Sequence, residues 1–178
     1  RPTRPELAPA LTSVPAHPFS YRAPGDYLRD GVPVDGPLVV ETGMHPLDIM
    51  TYPVTAADYA RCVADGDCIA AEPRRKGKGN VPVTGVSFDN AIAYASWLSS
   101  ETGETWRLPT IAEWTFAAGS KASDVALAQE TDAANPAERW LALYEKEAAL
   151  GANALAEPLP IGSFGANEFG VADLAGTV

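Results

Sequence analysis

The run Trp106-Arg107-Leu108-Pro109-Thr110-Ile111-Ala112-Glu113-Trp114-Thr115-Phe116-Ala117-Ala118 constrains this chain more than any other stretch. Pro109 bars helix from the residues before it, so the chain arrives extended. Thr110 then offers its hydroxyl oxygen to the amide of Glu113. The Glu113 carboxylate can reach back to the Thr110 amide, which makes a capping box. A helix over 110–118 follows, with Trp114, Ala117 and Ala118 on one side and Phe116 flanking it. So apolar a helix has to dock on a core.

The chain has 178 residues, the size of one ordinary domain with a single core. Acidic residues outnumber basic ones by 23 to 13, and the net charge of -10 argues against nucleic acid or an anionic membrane as partner. No apolar run reaches the length of a membrane-spanning helix, so no membrane span is expected. The sequence begins at Arg1 with a proline-rich lead and shows no signal peptide, and a processed or trimmed N-terminus is expected.

Prolines recur through residues 1–37, which predicts an extended arm with short strands, packed on the domain through Phe19, Tyr21 and Tyr27. The domain proper is then 38–178, with strands expected over Leu38–Val40 and Asp48–Thr51. A helix over 55–65 is capped by Thr55, with Asp58 at its third position. A second helix spans 87–101, with Phe88, Ile92, Ala95 and Leu98 as its apolar stripe and Tyr94 and Trp97 widening that stripe into the core. Asn135-Pro136-Ala137-Glu138 repeats the start logic for a fourth helix over 136–149, carried by Trp140, Leu141, Tyr144 and Ala148. Arg74-Arg75-Lys76-Gly77-Lys78-Gly79 reads as a solvated loop rather than an anion-binding patch, because glycines interrupt the charges. From Pro158 onward the glycines and Asn167 read as tight turns between short strands. Short elements and long connections make the fold class α+β. No internal repeat, phosphate-binding glycine loop or Ser-His-Asp signature is present.

The two cysteines are Cys62 and Cys68. Tyr59, Cys62 and Val63 share a helix face, and Gly66 can supply the left-handed turn that ends the helix. The chain then doubles back, so Cys68 can reach Cys62. A disulfide is one reading and points to an oxidising compartment, periplasmic or secreted. Two independent thiols are the other. Neither His17 nor His45 is near them in sequence, so a zinc site is not expected.

Four segments together resemble the formylglycine-generating enzyme (sulfatase-modifying factor) family. The run at 106–118 is one. Tyr52-Pro53-Val54-Thr55-Ala56-Ala57-Asp58-Tyr59 is similar to the family's x-V-T-N-x-x-Y opening. Pro82-Val83-Thr84-Gly85-Val86-Ser87-Phe88-Asp89-Asn90-Ala91 is similar to P-V-x-x-V-S-W-x-D-A. Residues 161–178, Ile161-Gly162-Ser163-Phe164 through Gly176-Thr177-Val178, resemble V-G-S-F-x-x-N-x-F-G-L-x-D-M-x-G-N-V. The order matches the family's order.

The resemblance implies a C-type-lectin-like fold and oxidation of a substrate cysteine to formylglycine, with copper(I) held by two cysteines. Soft thiolates suit that ion. In the family those cysteines follow a G-N-V-W-E-W segment, whereas this sequence ends at Thr177-Val178 and neither Cys62 nor Cys68 matches the pair. Residues 38–178 are therefore expected to be the N-terminal portion of such a domain, with no catalytic or cofactor-binding residue of their own. Copper would then need a cysteine pair outside this chain. Ile161, Phe164, Phe169, Val171, Leu174 and Val178 are expected to pack against a further segment or a second chain. The resemblance also implies calcium, with Asn153 of Ala152-Asn153-Ala154-Leu155 as its candidate ligand; a helix-ending role for Asn153 competes, as does a turn or cap role for Asp173. The cysteine turn, the Trp140 helix and the Tyr21-Arg22 and Tyr27-Leu28-Arg29 lead resemble periplasmic family members encoded beside copper nitrite reductases. The implied role is maturation of a partner enzyme, a protein client; the alternative is a non-catalytic lectin-like binding module.

Overall fold

A computed structural model describes residues 2–73, 77–122, 141 and 158–174. Six short strands lie in the first part: β1 (Leu11–Val14), β2 (Phe19–Arg22), β3 (Tyr27–Arg29), β4 (Val32–Val34), β5 (Leu38–Glu41) and β6 (Leu47–Met50). Their pairing is nested and antiparallel: β1 with β6, β2 with β5, β3 with β4. Residues 11–50 thus form one long two-stranded ribbon folded back on itself. Its tip is Asp30-Gly31, both at positive φ (53° and 78°), the conformation that matches the right-handed twist of the flanking strands. The register runs from Phe19↔Glu41 to Arg22↔Leu38 and resumes at Tyr27↔Val34. Residues 23–26 there oppose 35–37, so the first strand carries one extra residue, a bulge. Gly36 is required at that point, since a Cβ on it would lie 2.1 Å from the Ala23 carbonyl oxygen. The proline-rich lead is therefore stitched to residues 38–50 by strand pairing.

Three helices follow the ribbon: α1 (Ala56–Asp65), α2 (Phe88–Thr102) and α3 (Ile111–Ala118). Thr55 caps α1, accepting from the Asp58 amide at 3.1 Å and donating to the Asp58 carboxylate at 2.6 Å. Gly66, in the left-handed region at φ 86°, ends α1 and turns the chain so that Cys68 bonds to Cys62, with Cα atoms 5.3 Å apart. Both cysteines are buried in a core with Tyr59, Tyr94, Trp97 and Leu98. Arg4, just before a short 3-10 helix at Pro5–Leu7, closes this core from outside. Its guanidinium pairs with Asp65 of α1 and Glu101 of α2 and lies 5.9 Å over the Trp97 ring. The Trp97 indole also donates to Asp65 at 3.0 Å.

Sequence spacing put Phe88, Ile92, Ala95 and Leu98 on the buried stripe of α2. Leu98 is buried there, with Tyr94 and Trp97 in the core as expected, whereas Phe88 and Ile92 are exposed and Glu101 joins the buried set. That set has the same i, i+3, i+4, i+7 spacing, but carries more aromatic area and a partner for its indole N–H.

The second core joins Val14, Phe116, Ala117 and Val171, flanked by Phe19, Met44, Leu47, Ile49, Phe169 and Leu174. Both halves of the capping box on α3 form: the Glu113 amide donates to Thr110 Oγ1 at 3.2 Å and the Thr110 amide to Glu113 Oε2 at 2.8 Å. Arg107 clamps the same carboxylate through both terminal nitrogens, at 2.7 and 2.5 Å. The expected face of α3 is corrected too. Trp114 is exposed, and Phe116, Ala117 and Ala118 are buried. The two alanines let β2 and residues 167–171 close on the last turn, so the helix docks by its C-terminal end rather than along the Trp114 side. The fourth expected helix falls outside the described residues apart from Leu141, which is helical and exposed, as do Arg74, Arg75 and Lys76 of the basic loop. Residues 158–174 form turns and a single bridge, Ala166↔Ala172, not the expected strands. Val171 is buried within the chain, which removes it from the surfaces expected to await another segment, whereas Phe164 is exposed.

Two outcomes follow from these elements. Replacing both cysteines by serine is expected to cost about 2 kcal/mol, the chain-entropy value for so short a loop. Thiol titration of the denatured, unreduced parent should find no free thiol. The second concerns acid. The Arg107 guanidinium, and after it the Thr110 amide, hold the Glu113 carboxyl down at about 2. A depressed carboxyl stabilises the fold above its unfolded value, roughly 4.3, and that contribution is lost as pH falls toward 2. The melting-temperature gap between parent and Glu113→Gln should therefore be open at pH 7 and close across that window.

Candidate functional site

Both cysteines are already engaged. Cys62 and Cys68 are bonded to each other and buried at the end of α1, so neither is available as a thiolate. Burial pushes the Tyr59 hydroxyl up from its ordinary pKa. Tyr94 is pushed up further, by burial first and then by the Asp58 carboxylate, so neither phenol serves as an acid or base near neutrality. Tyr59 instead donates to the Ile69 carbonyl at 2.9 Å. His17 is stacked on Phe116, ring centroids 4.2 Å apart, with Phe169 at 4.7 Å. His45 is exposed. Among the described residues no three His, Cys, Asp or Glu side chains converge as metal ligands. Asn153, the calcium candidate, lies outside the described residues.

The most organised polar cluster is at 161–173. Asp173 is buried and sits at φ 55°, unusual for any residue but glycine and tolerated best by Asp and Asn. Its carboxylate accepts from the Gly162 amide and from the Phe164 amide at 2.9 Å, so it is a turn-holding residue. Asn167 does more. Its side-chain amide donates to the Ala117 and Ala118 carbonyls at 2.8 and 3.0 Å, capping the C-terminus of α3. Its oxygen accepts from the Phe169 and Val171 amides at 3.1 and 3.0 Å. Beside it, Glu168 takes the Ser120 amide at 2.7 Å and the Ser120 hydroxyl at 2.6 Å, and Ser120 holds its carboxyl below the usual range. Sequence reading found a turn at Asn167. Its bond to α3 was out of reach, because the partners are some fifty positions away (49 and 50).

A cleft of about 250 Å³ opens between α1 and the chain at 70–73 and 82–84. Ala56, Tyr59, Val63, Ala71, Pro82 and Val83 line it, a mostly apolar wall among the described residues. No periodicity pointed to it, since three separate segments supply the walls.

Asn167→Asp tests the cluster. A carboxylate keeps the acceptor but loses both donors and faces two carbonyls. The expected destabilisation is about 2–3 kcal/mol by denaturant melting, the cost of leaving buried acceptors unpaired. Asn167→Ala should cost a comparable amount, and Ser163→Ala, at an exposed turn, should be near neutral.

Two comparisons bear on what this framework is. The chain is similar to the solved structure of PvdO from Pseudomonas aeruginosa, at 26% identity and a TM-score of 0.62, over 94% of this chain and 67% of that one. No curated protein matches it. Residues 2–178 match the profile of the sulfatase-modifying factor enzyme 1-like domain, and the chain belongs to that family, the FGE-sulfatase family.

Proposed function

We propose that this chain is the N-terminal portion of a formylglycine-generating-type domain that works outside the cytoplasm, in the periplasm or as a secreted protein. It takes part in oxidative maturation of a partner enzyme. The observation that carries the reading is the family match over residues 2–178 together with the four motifs in family order. The disulfide supports the compartment, since such bonds persist where the surroundings are oxidising. Small two-stranded sheets with two packed helices and long connections support a C-type-lectin-like fold.

The residues present do not fit copper. A copper(I) centre needs open thiolates, and both sulfurs here are joined to each other within a core. Copper would need a cysteine pair from polypeptide outside residues 1–178, and no oxidative step is assigned to these residues. Calcium, if bound, would use Asn153 with oxygens from elsewhere, since the ion takes six to eight oxygen ligands. Within this scheme the chain supplies the framework: capped helices, a tied C-terminal segment and an apolar cleft.

The test is a sulfatase-motif peptide incubated with copper and oxygen, with the mass of its cysteine followed over time. No conversion is expected from the 178-residue chain, and conversion is expected once a downstream segment bearing a cysteine pair is supplied. Conversion by this chain alone would overturn the placement of the cysteine pair. Failure of the completed protein would favour the other reading, a non-catalytic lectin-like binding module.

A further inference from the structure

The lead is held to the molecule differently from the ribbon that follows it. From Leu11 onward the backbone is fixed by ladder pairing, and the Thr51 amide donates to the Ala10 carbonyl at 2.9 Å. Residues 2–10 include no buried residue. Their 3-10 turn at Pro5–Leu7 has no side-chain cap, and the Leu7 and Ala8 amides bond within the lead itself, to the Arg4 and Pro5 carbonyls at 3.0 Å. Leu7 packs, partly buried, on the core of Tyr59, Tyr94 and Trp97. Arg4 carries the polar hold: its amide donates to the Glu101 carbonyl, and its guanidinium donates to the Asp65 and Glu101 carboxylates. Those carboxylates stand in the last turns of α1 and α2, and neither helix has a basic residue there. Arg4 thus brings to both ends the positive charge that a helix C-terminus favours. A segment tied by one charged side chain and one partly buried leucine opens at a lower free energy than one tied by a ladder or a core, because fewer contacts are lost.

We propose that residues 2–9 form a strap, latched by Arg4 across the C-terminal ends of α1 and α2, which opens as a unit about Ala10 while the ribbon and the helical core stay folded. Closed, the strap lays the Arg4 guanidinium over the Trp97 ring and against both carboxylates. Opened, it gives that ring edge and the carboxylates to water. The Trp97 indole keeps its hydrogen bond to Asp65 in either state, so the core beneath survives the opening. The device is independent of the oxidase reading, because it needs no group beyond these residues.

Native-state hydrogen exchange on the isotope-labelled 178-residue chain, followed against denaturant, is the test. The Leu7 and Ala8 amides are expected to exchange by an opening almost insensitive to denaturant, the mark of little newly exposed surface, while the Trp97 amide follows global unfolding. Arg4→Ala should speed Leu7 and Ala8 exchange by about tenfold or more, the loss of hydrogen bonds to charged groups, and leave Thr51 and Trp97 unchanged. Arg4→Lys keeps the charge but loses the fork that reaches two carboxylates, so its rates should fall between. Leu7 and Ala8 amides that share the denaturant dependence of Trp97 would overturn the strap, and this reading needs no variant. So would unchanged Leu7 and Ala8 rates in Arg4→Ala, or an Arg4→Ala chain in which Trp97 exchange rises equally or the whole fold is lost.

Discussion

Burying the ring of Phe116 obliges three distant stretches of this chain to meet. The ring is fully buried, and no single neighbour could enclose it. Phe19 and His17 reach it from the ribbon, and Val14 joins the same core from β1. Phe169 and Val171 close on the core from the C-terminal segment. The burial works because Ala117 and Ala118 follow directly and leave room for backbone to approach. It also works because the polar groups exposed by ending the helix there are satisfied. Asn167 takes the two carbonyls at that end, so the apolar contact and the polar one are met by adjacent residues of one loop. Burial of an aromatic ring of this size stabilises by roughly 1.5–3 kcal/mol on transfer alone. A loop that left the helix carbonyls unpaired would forfeit a comparable amount.

The other half of the molecule is organised by charge over an aromatic. Trp97 needs a partner for its indole N–H, and Asp65 supplies it. Asp65 and Glu101 then present two carboxylates at the edge of a mostly apolar core, and Arg4 answers both while lying over the same indole ring. The N-terminal lead is thereby pinned to α1 and α2 before it enters the ribbon. The disulfide acts within this core by holding the chain after α1 against its own helix. The cysteines are therefore structural, joined to each other and buried.

Much of the local structure was legible in the sequence because caps and turns are decided within a few residues. Thr55, Ser87 and Thr110 each hold the first turn of a helix through a hydroxyl, and Gly66 and Gly103 end α1 and α2 in the left-handed region. The α+β class and the strands near 38–41 and 47–50 were equally readable. The buried faces were legible only in part: Tyr94, Trp97, Leu98, Ala117 and Ala118 are buried as read, and Phe88, Ile92 and Trp114 are not. Both Phe88 with Ile92 and Tyr94 with Trp97 satisfy helical spacing, and spacing does not rank two apolar faces. The choice went to the face whose polar atoms found partners in α1 and in the lead. Trp114 was misplaced for a related reason: an eight-residue helix can dock by its end, and periodicity describes only its sides.

By itself, then, the sequence determined where α1, α2 and α3 begin and end, which residues could pair as a disulfide, and membership of a family recognised by four ordered motifs. Each depends on neighbours along the chain or on identity in order. Tertiary structure alone decided the nesting of residues 11–50 into one ribbon, the joining of Asn167 to α3 and the gathering of the cleft at α1. Those outcomes depend on which distant groups satisfy one another's hydrogen bonds and exclude water together, and that pairing is settled only when the whole chain is packed.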